Sequence, residues 1–548
     1  MSKQAFETLG VTLQRINTDV YGCLNASFLK INYMSVKVSE NLHQLIHSLS
    51  KPEKRYFKLY SSRHIIGEQN NYVKLFDAID KQKVYDEAIL LKQFKKEIFI
   101  RQFSIAKSRL YDAILRSLDA YNSDSSIDSQ LKNMLHYAEI LFKKTLYEQC
   151  LRILISAKKL ATKYEKHIAL LDIYRWEKEL IEKDNYSGKS EEDIKQILEQ
   201  DKLVINKIKI HKEFWNIKSR FFQLLNKEGK ARSQHEIEKF KRIIDTTLLK
   251  IPESELTTAT KYLSNHIYSA YYFGIGDYKS SYHFLHQNVL LIESTTFIFK
   301  EEPNIYFSVL TNIIYVASQL KKYPEVLFYL AKLRAIPHTL ETNKNEDLEV
   351  KLFSSAYSLE LTLYAQTGEF EKALKLIPKI EEGIDKYAGK INKVRRSYFY
   401  FNIAVVCFGA EKYTQALRWT NKLLNDTEID ESKDIHCFTQ LLNLIIHIEL
   451  KHHDLIPYAF KSTHRYLNSR QRVYKFENLF LDFISKIMKT KNREEQQKHY
   501  KRLRDEMKKL QNDTFEKTAF EYFDFISWAE SRLQIQSFQA IVEEKAKH

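Results

Sequence analysis

Residues 354–424 carry two copies of one pattern in succession, YSLELTLYAQTGEFEKALKLIPKI from Tyr357 and YFNIAVVCFGAEKYTQALRWTNKL from Tyr400. In the first, Tyr357, Leu361 and Tyr364 make an apolar stripe at helical spacing, Gly368 supplies a turn, and Phe370, Ala373 and Ile377 restart the stripe. The second copy repeats this with Tyr400, Ala404, Cys407, Tyr413, Ala416 and Thr420. A helical hairpin this short cannot bury both apolar faces against itself, so it needs a neighbouring copy on each side. The pattern therefore predicts an array.

Aligning further units on the large residue just after each turn gives Tyr147, Tyr278, Tyr323, Phe370, Tyr413 and Leu455, at separations of 131, 45, 47, 43 and 42. The first interval is close to three periods, which predicts two degenerate units around LLDIYRWEKELIEKDNYSG and FWNIKSRFFQLLNKEGKARSQ. About eight hairpins result. Three residues after the anchor, the better copies have a small side chain, Cys150, Ser281, Ala373 or Ala416, which lets the paired helices approach closely; Val326 and Tyr458 fill that slot in two others.

The large residue in the first helix, the turn glycine, the following aromatic and the small residue in the second helix resemble the tetratricopeptide repeat (TPR) over residues 131–466. The period of about 44 is longer than that family's roughly 34, and its final proline is present only as Pro337. The resemblance implies an all-α chain, a right-handed α-solenoid whose first helices line a groove for a peptide or partner helix. In that groove Asn312 and Asn402, each eleven residues before its anchor, would meet a peptide backbone, with Tyr315 and Tyr398 as aromatic neighbours. An interhelical hydrogen bond is the competing role for the two amides.

The ends read differently. Residues 34–125 predict a helical block that caps the array, starting with Leu42, Leu45, Ile46 and Leu49, then a capping box of Ser50 and Glu53 around Pro52. Helices at NYVKLFDAI, DEAILLKQF and FSIAKSRLYDAILRSL follow, the last two separated too widely for a close helix-turn-helix. Residues 1–33 lack clear periodicity, and Met34 is the expected functional start. Residues 467–548 predict a basic, helical C-terminal cap in which Phe520, Phe523 and Trp528 are core, while REEQQKHYKRLRDEMKKL is a polar helix with little apolar face. Both terminal blocks look similar to parts of uncharacterised bacterial helical-repeat proteins, a likeness that carries no activity.

The chain's +16 formal charge is concentrated at these ends. Residues 461–510 hold 15 Lys or Arg against 6 Asp or Glu, and residues 51–120 hold 15 against 9. If nucleic acid is the partner, Arg470, Arg472, Lys498, Lys501, Arg502 and Arg504 are the phosphate contacts. Glu494, Glu495, Asp505 and Glu506 interleave that run, so a solvated helix face is the competing reading.

No catalytic motif stands out. Gly188-Lys189-Ser190 lacks the glycine a phosphate loop needs five positions earlier, where Lys183 stands, and Gly274-Ile275-Gly276 lacks the third glycine of a dinucleotide fingerprint. His447, His452, His453 and His464 have no cysteine at zinc-site spacing, so neither metal nor cofactor is expected. Four cysteines in 548 residues are not a disulfide framework, no span or signal peptide is legible, and a reducing cytoplasmic setting is the expectation. The functional expectation is a non-enzymatic protein–protein interaction scaffold or adaptor. The alternative is a nucleic-acid-associated regulator gated by a ligand on the repeats.

Overall fold

A computed structural model describes residues 38–62, 71–123, 126–245, 251–339, 346–426, 433–469, 474–490, 492–513 and 515–547, and among these every regular element is a helix. The chain divides into two compact units, Met1–Ile153 and Leu154–His548. Residues 1–33 and Met34 lie outside the described residues.

The first unit contains α1 (Val38–Ser48), α2 (Lys51–Ser62), α3 (Asn71–Asp80), α4 (Glu87–Gln93), α5 (Phe103–Tyr121), α6 (Ile127–Lys143) and the start of α7 (Tyr147–Lys163). The capping box forms at the start of α2: the Ser50 N–H donates to Glu53 Oε2 at 2.7 Å, and the Glu53 N–H to Ser50 Oγ at 3.4 Å. Leu42 and Ile46 of the expected stripe are fully buried with Phe57, Phe76, Leu110 and Ile114. Helix α5 packs on α1, α2 and α3, and a 3₁₀ turn at Ile98–Gln102 separates it from α4.

The second unit continues with α8 (His167–Lys183), α9 (Glu191–Glu228), α10 (Gln234–Ile244), α11 (Thr258–Gly274), α12 (Tyr278–Ser294) and the single turn α13 (Thr296–Phe299). Then come α14 (Pro303–Gln319), α15 (Tyr323–Thr339), α16 (Glu346–Thr367), α17 (Phe370–Leu374), α18 (Ile377–Lys386), α19 (Lys393–Gly409) and α20 (Tyr413–Leu424). The rest is α21 (Lys433–Glu449), α22 (Ile456–Ser469), α23 (Lys475–Lys489), α24 (Arg493–Gln511), α25 (Phe525–Gln534) and α26 (Phe538–Lys547). Sequence neighbours pair, as in α11 with α12, α14 with α15 and α19 with α20; α14, α16, α19 and α21 also pack each on the next.

One turn recurs between paired helices. The residue two places before each of Tyr147, Tyr278, Tyr323, Phe370 and Tyr413 is left-handed: Thr145, Gly276, Lys321, Gly368 and Glu411. The following N–H donates to the carbonyl five residues back, as from Asp277 to Tyr272, Glu369 to Tyr364 and Lys412 to Cys407, which is a Schellman closure. The anchor then opens the next helix, and the small side chains Cys150, Ser281, Ala373 and Ala416 are fully buried.

The last hairpin departs from the expected register. Its left-handed residue is Lys451, and the His452 N–H reaches His447 O, so His453 takes the anchor position assigned to Leu455. Ile456 then fills the buried slot and Tyr458 is 75% exposed. Both turns expected in the degenerate region form, at Asn185–Gly188 and at Gly229, but the segment between them is the single 38-residue helix α9. It contains no Gly or Pro to break it, so the two hairpins share it. The second helix of the 370–386 hairpin breaks instead into α17 and α18, where Pro378 removes a backbone donor.

Helix α24 corrects the expectation of a helix with little to bury. Tyr500, Leu503 and Met507 form an apolar stripe packed against α23 and α25.

Candidate functional site

Three inner helices present side chains at positions i, i+3 and i+7 to one cavity of about 1620 Å³. Helix α14 contributes Asn312, Tyr315 and Gln319; α16 contributes Ser355, Ser358 and Thr362; α19 contributes Arg395, Tyr398 and Asn402. Helix α11 continues the pattern with His266, Ser269 and Phe273. All four residues expected in the groove thus line the same cavity.

The C-terminal segment forms the facing wall. Phe523 and Trp528 are buried and Phe520 partly buried, as expected for core residues, but the segment also runs back along the inner helices. Helix α26 packs on α16, where a Cβ on Gly368 (φ +78°) would lie 3.0 Å from the Glu543 backbone nitrogen. From the 3₁₀ turn Lys517–Glu521, the Lys517 ammonium donates to Gly276 O at 2.7 Å. The glycine turn between α11 and α12 is thereby clasped.

At the wall's base, Lys230 sits among Phe273, Tyr278 and Tyr315, its Nζ 4.5, 5.1 and 5.3 Å from the three ring centroids. Its partner is Glu521, and both side chains are nearly buried. The Tyr278 hydroxyl accepts from Lys230 at 2.8 Å and donates to Glu521; the Tyr315 hydroxyl donates to Glu521 at 2.9 Å. Burial, then the Glu521 charge, pushes the Tyr278 and Tyr315 phenols upward, so both remain neutral donors. Behind them Arg232 binds Glu477 at 2.9 Å and Glu516 at 3.1 Å. Burial pulls its pKa down, and Glu477 and then Glu516 more than reverse that, leaving a net rise.

The two asparagines differ. The Asn402 amide donates to Ser358 Oγ at 2.9 Å and Thr362 Oγ1 at 3.2 Å, so it is committed to an interhelical network. Asn312 is exposed to the cavity. The Tyr398 ring is 37% exposed, while its hydroxyl lies deep, hydrogen-bonded to Tyr522; burial, then the Asp434 charge, pushes its pKa up to about 12. Tyr522 stacks on Phe438, with ring centroids 4.3 Å apart.

Four of the nucleic-acid set, Lys498, Lys501, Arg502 and Arg504, lie among the described residues, all on α24. Arg470 and Arg472 lie outside them. Lys498, Lys501 and Arg502 are exposed on one face of α24, where helical spacing also puts Glu494 and Asp505. Arg504 is half-buried and pairs with Asp505 at 2.6 Å. His447 Nδ1 meets His452 Nδ1 at 3.1 Å, and among the described residues no group of three or more His, Cys, Asp or Glu side chains could hold a metal. Cys150, Cys407 and Cys437 are buried, and no described helix is long and apolar enough to cross a membrane.

Sequence reasoning missed Lys230, Glu521 and Arg395. Arg395 had a signal, since it precedes Tyr398 and Asn402 by three and seven residues on one stripe. Lys230 and Glu521 are 291 positions apart, and nothing local links them. The chain matches no protein-family model and no curated protein.

Proposed function

We propose that this chain is a non-enzymatic scaffold or adaptor: a right-handed, TPR-like α-solenoid of about eight hairpins that holds a peptide segment against its inner helices. The observation that carries this reading is the cavity of about 1620 Å³. It exceeds the roughly 300–1,000 Å³ of small-molecule pockets. Its stripes of amide and hydroxyl side chains can both donate to and accept from a peptide backbone. The buried cysteines suit a reducing, cytoplasmic setting.

Affinity selection of short random-sequence peptides on the full-length chain, read by mass spectrometry, tests the proposal. A defined subset should be enriched, and an excess of one enriched peptide should displace the rest. Fluorescence anisotropy with duplex DNA at about 50 and about 200 mM salt is the companion measurement. Tight binding that collapses over that interval, with no peptide enrichment, would replace the scaffold by the nucleic-acid regulator.

A further inference from the structure

Arg395 reaches from α19 across α16 to α14. It donates to Ser354 Oγ at 3.3 Å, and its guanidinium carbon lies 5.4 Å from the Phe307 ring centroid. Three other arginines of this unit have carboxylate partners: Arg232 has Glu477, Arg334 has Glu360, and Arg396 has Asp426 at 2.9 Å. Among the described residues no carboxylate lies within ion-pair distance of Arg395, although it is partly buried on the cavity wall. Burial lowers its pKa, and the more distant Asp347 charge opposes that shift. A guanidinium remains charged under these conditions, so taking it from water without a partner is costly, and its planar fork matches a carboxylate with two parallel N–H groups.

Several other charged groups on the cavity wall are engaged. Lys230 holds Glu521, Lys517 holds the Gly276 carbonyl, and Glu530 lies between Lys508 and Lys545 at 2.7 Å from each. A single guanidinium at this point of the wall matches one negative charge, which fits a carboxylate better than a phosphate monoester of charge near −2.

Resting on the peptide-binding reading, we infer that Arg395 anchors a single carboxylate of the bound peptide, either its C-terminus or an Asp or Glu side chain. Asn312, on the neighbouring α14, is left to meet the peptide backbone.

The test uses the full-length chain with four pools of random short peptides, carrying a free or amidated C-terminus, each with or without Asp and Glu. Wild type should enrich carboxylate-bearing peptides over the carboxylate-free pool by at least about tenfold. Loss of enrichment on amidation assigns the terminal carboxylate; loss on omitting Asp and Glu assigns a side chain. Arg395→Gln should abolish the preference while the chain still melts cooperatively, and Arg395→Lys should keep part of it as a point charge. Equal enrichment of all four pools, or a preference that survives in Arg395→Gln, overturns the role of Arg395 and leaves peptide binding standing. If Arg395→Gln does not fold, the outcome rests on Arg395→Lys, where an undiminished preference counts against the fork. Absence of enrichment in every pool overturns the peptide reading and this inference together.

Discussion

Asn312 and Asn402 occupy the same slot eleven residues before their anchors, yet only Asn402 is tied to its neighbours. Asn402→Ala removes a donor shared by Ser358 and Thr362 on α16, and should cost about 1–3 kcal/mol because half-buried hydroxyls lose a partner. Asn312→Ala should stay within about 0.5 kcal/mol, since its amide faces the cavity. Denaturation midpoints of the two variants check this, and equal shifts would refute the distinction. The same slot therefore does structural work in one hairpin and faces the cavity in another.

The hairpin element is a short-range device, built from one left-handed residue, one carbonyl closed from five residues on, a large anchor and a small buried residue. Ala416 illustrates its tolerance: it is fully buried on α20 against α19. Ala416→Arg would force a long charged side chain into that contact, and should cost several kcal/mol through overpacking and charge burial. Hydrogen exchange should accelerate across residues 397–424 first; unchanged protection there would mean that the two helices do not meet at this residue. The turn also explains the misjudged last hairpin. Register is counted from the left-handed residue, which is Lys451, whereas Leu455 satisfies only the requirement for a large apolar residue after the turn at about the repeat spacing.

Over the second unit, the C-terminal segment binds distant parts of the chain together. Arg232 bridges Glu477 and Glu516, 245 and 284 positions away. Arg232→Met would strand two buried carboxylates and should destabilise this unit by about 3–5 kcal/mol. Adding Glu477→Gln and Glu516→Gln should recover much of that loss, because no charge is then left unpaired. Comparing the unfolding transitions of the single and triple variants checks the point, and no recovery would mean that Arg232 acts through packing alone.

The sequence by itself determined the local rules: apolar stripes at 3.6 spacing, anchors that open helices, small residues that become contacts, and the capping box at Ser50. Each depends on residues within one or two helical turns of one another, so a single chain displays it. Helix breaks were less legible, because Pro378 interrupts a hairpin helix while the absence of Gly and Pro fuses two hairpins through α9. The fold of residues 515–547 along the inner helices was decided by tertiary structure alone. The Lys230–Glu521 and Arg232–Glu477–Glu516 groupings depend on loops of more than 240 residues closing. Ion pairing and aromatic packing at such separations leave no periodic trace along the chain. That Arg395 meets no carboxylate at ion-pair distance among the described residues follows only from which side chains the fold brings near.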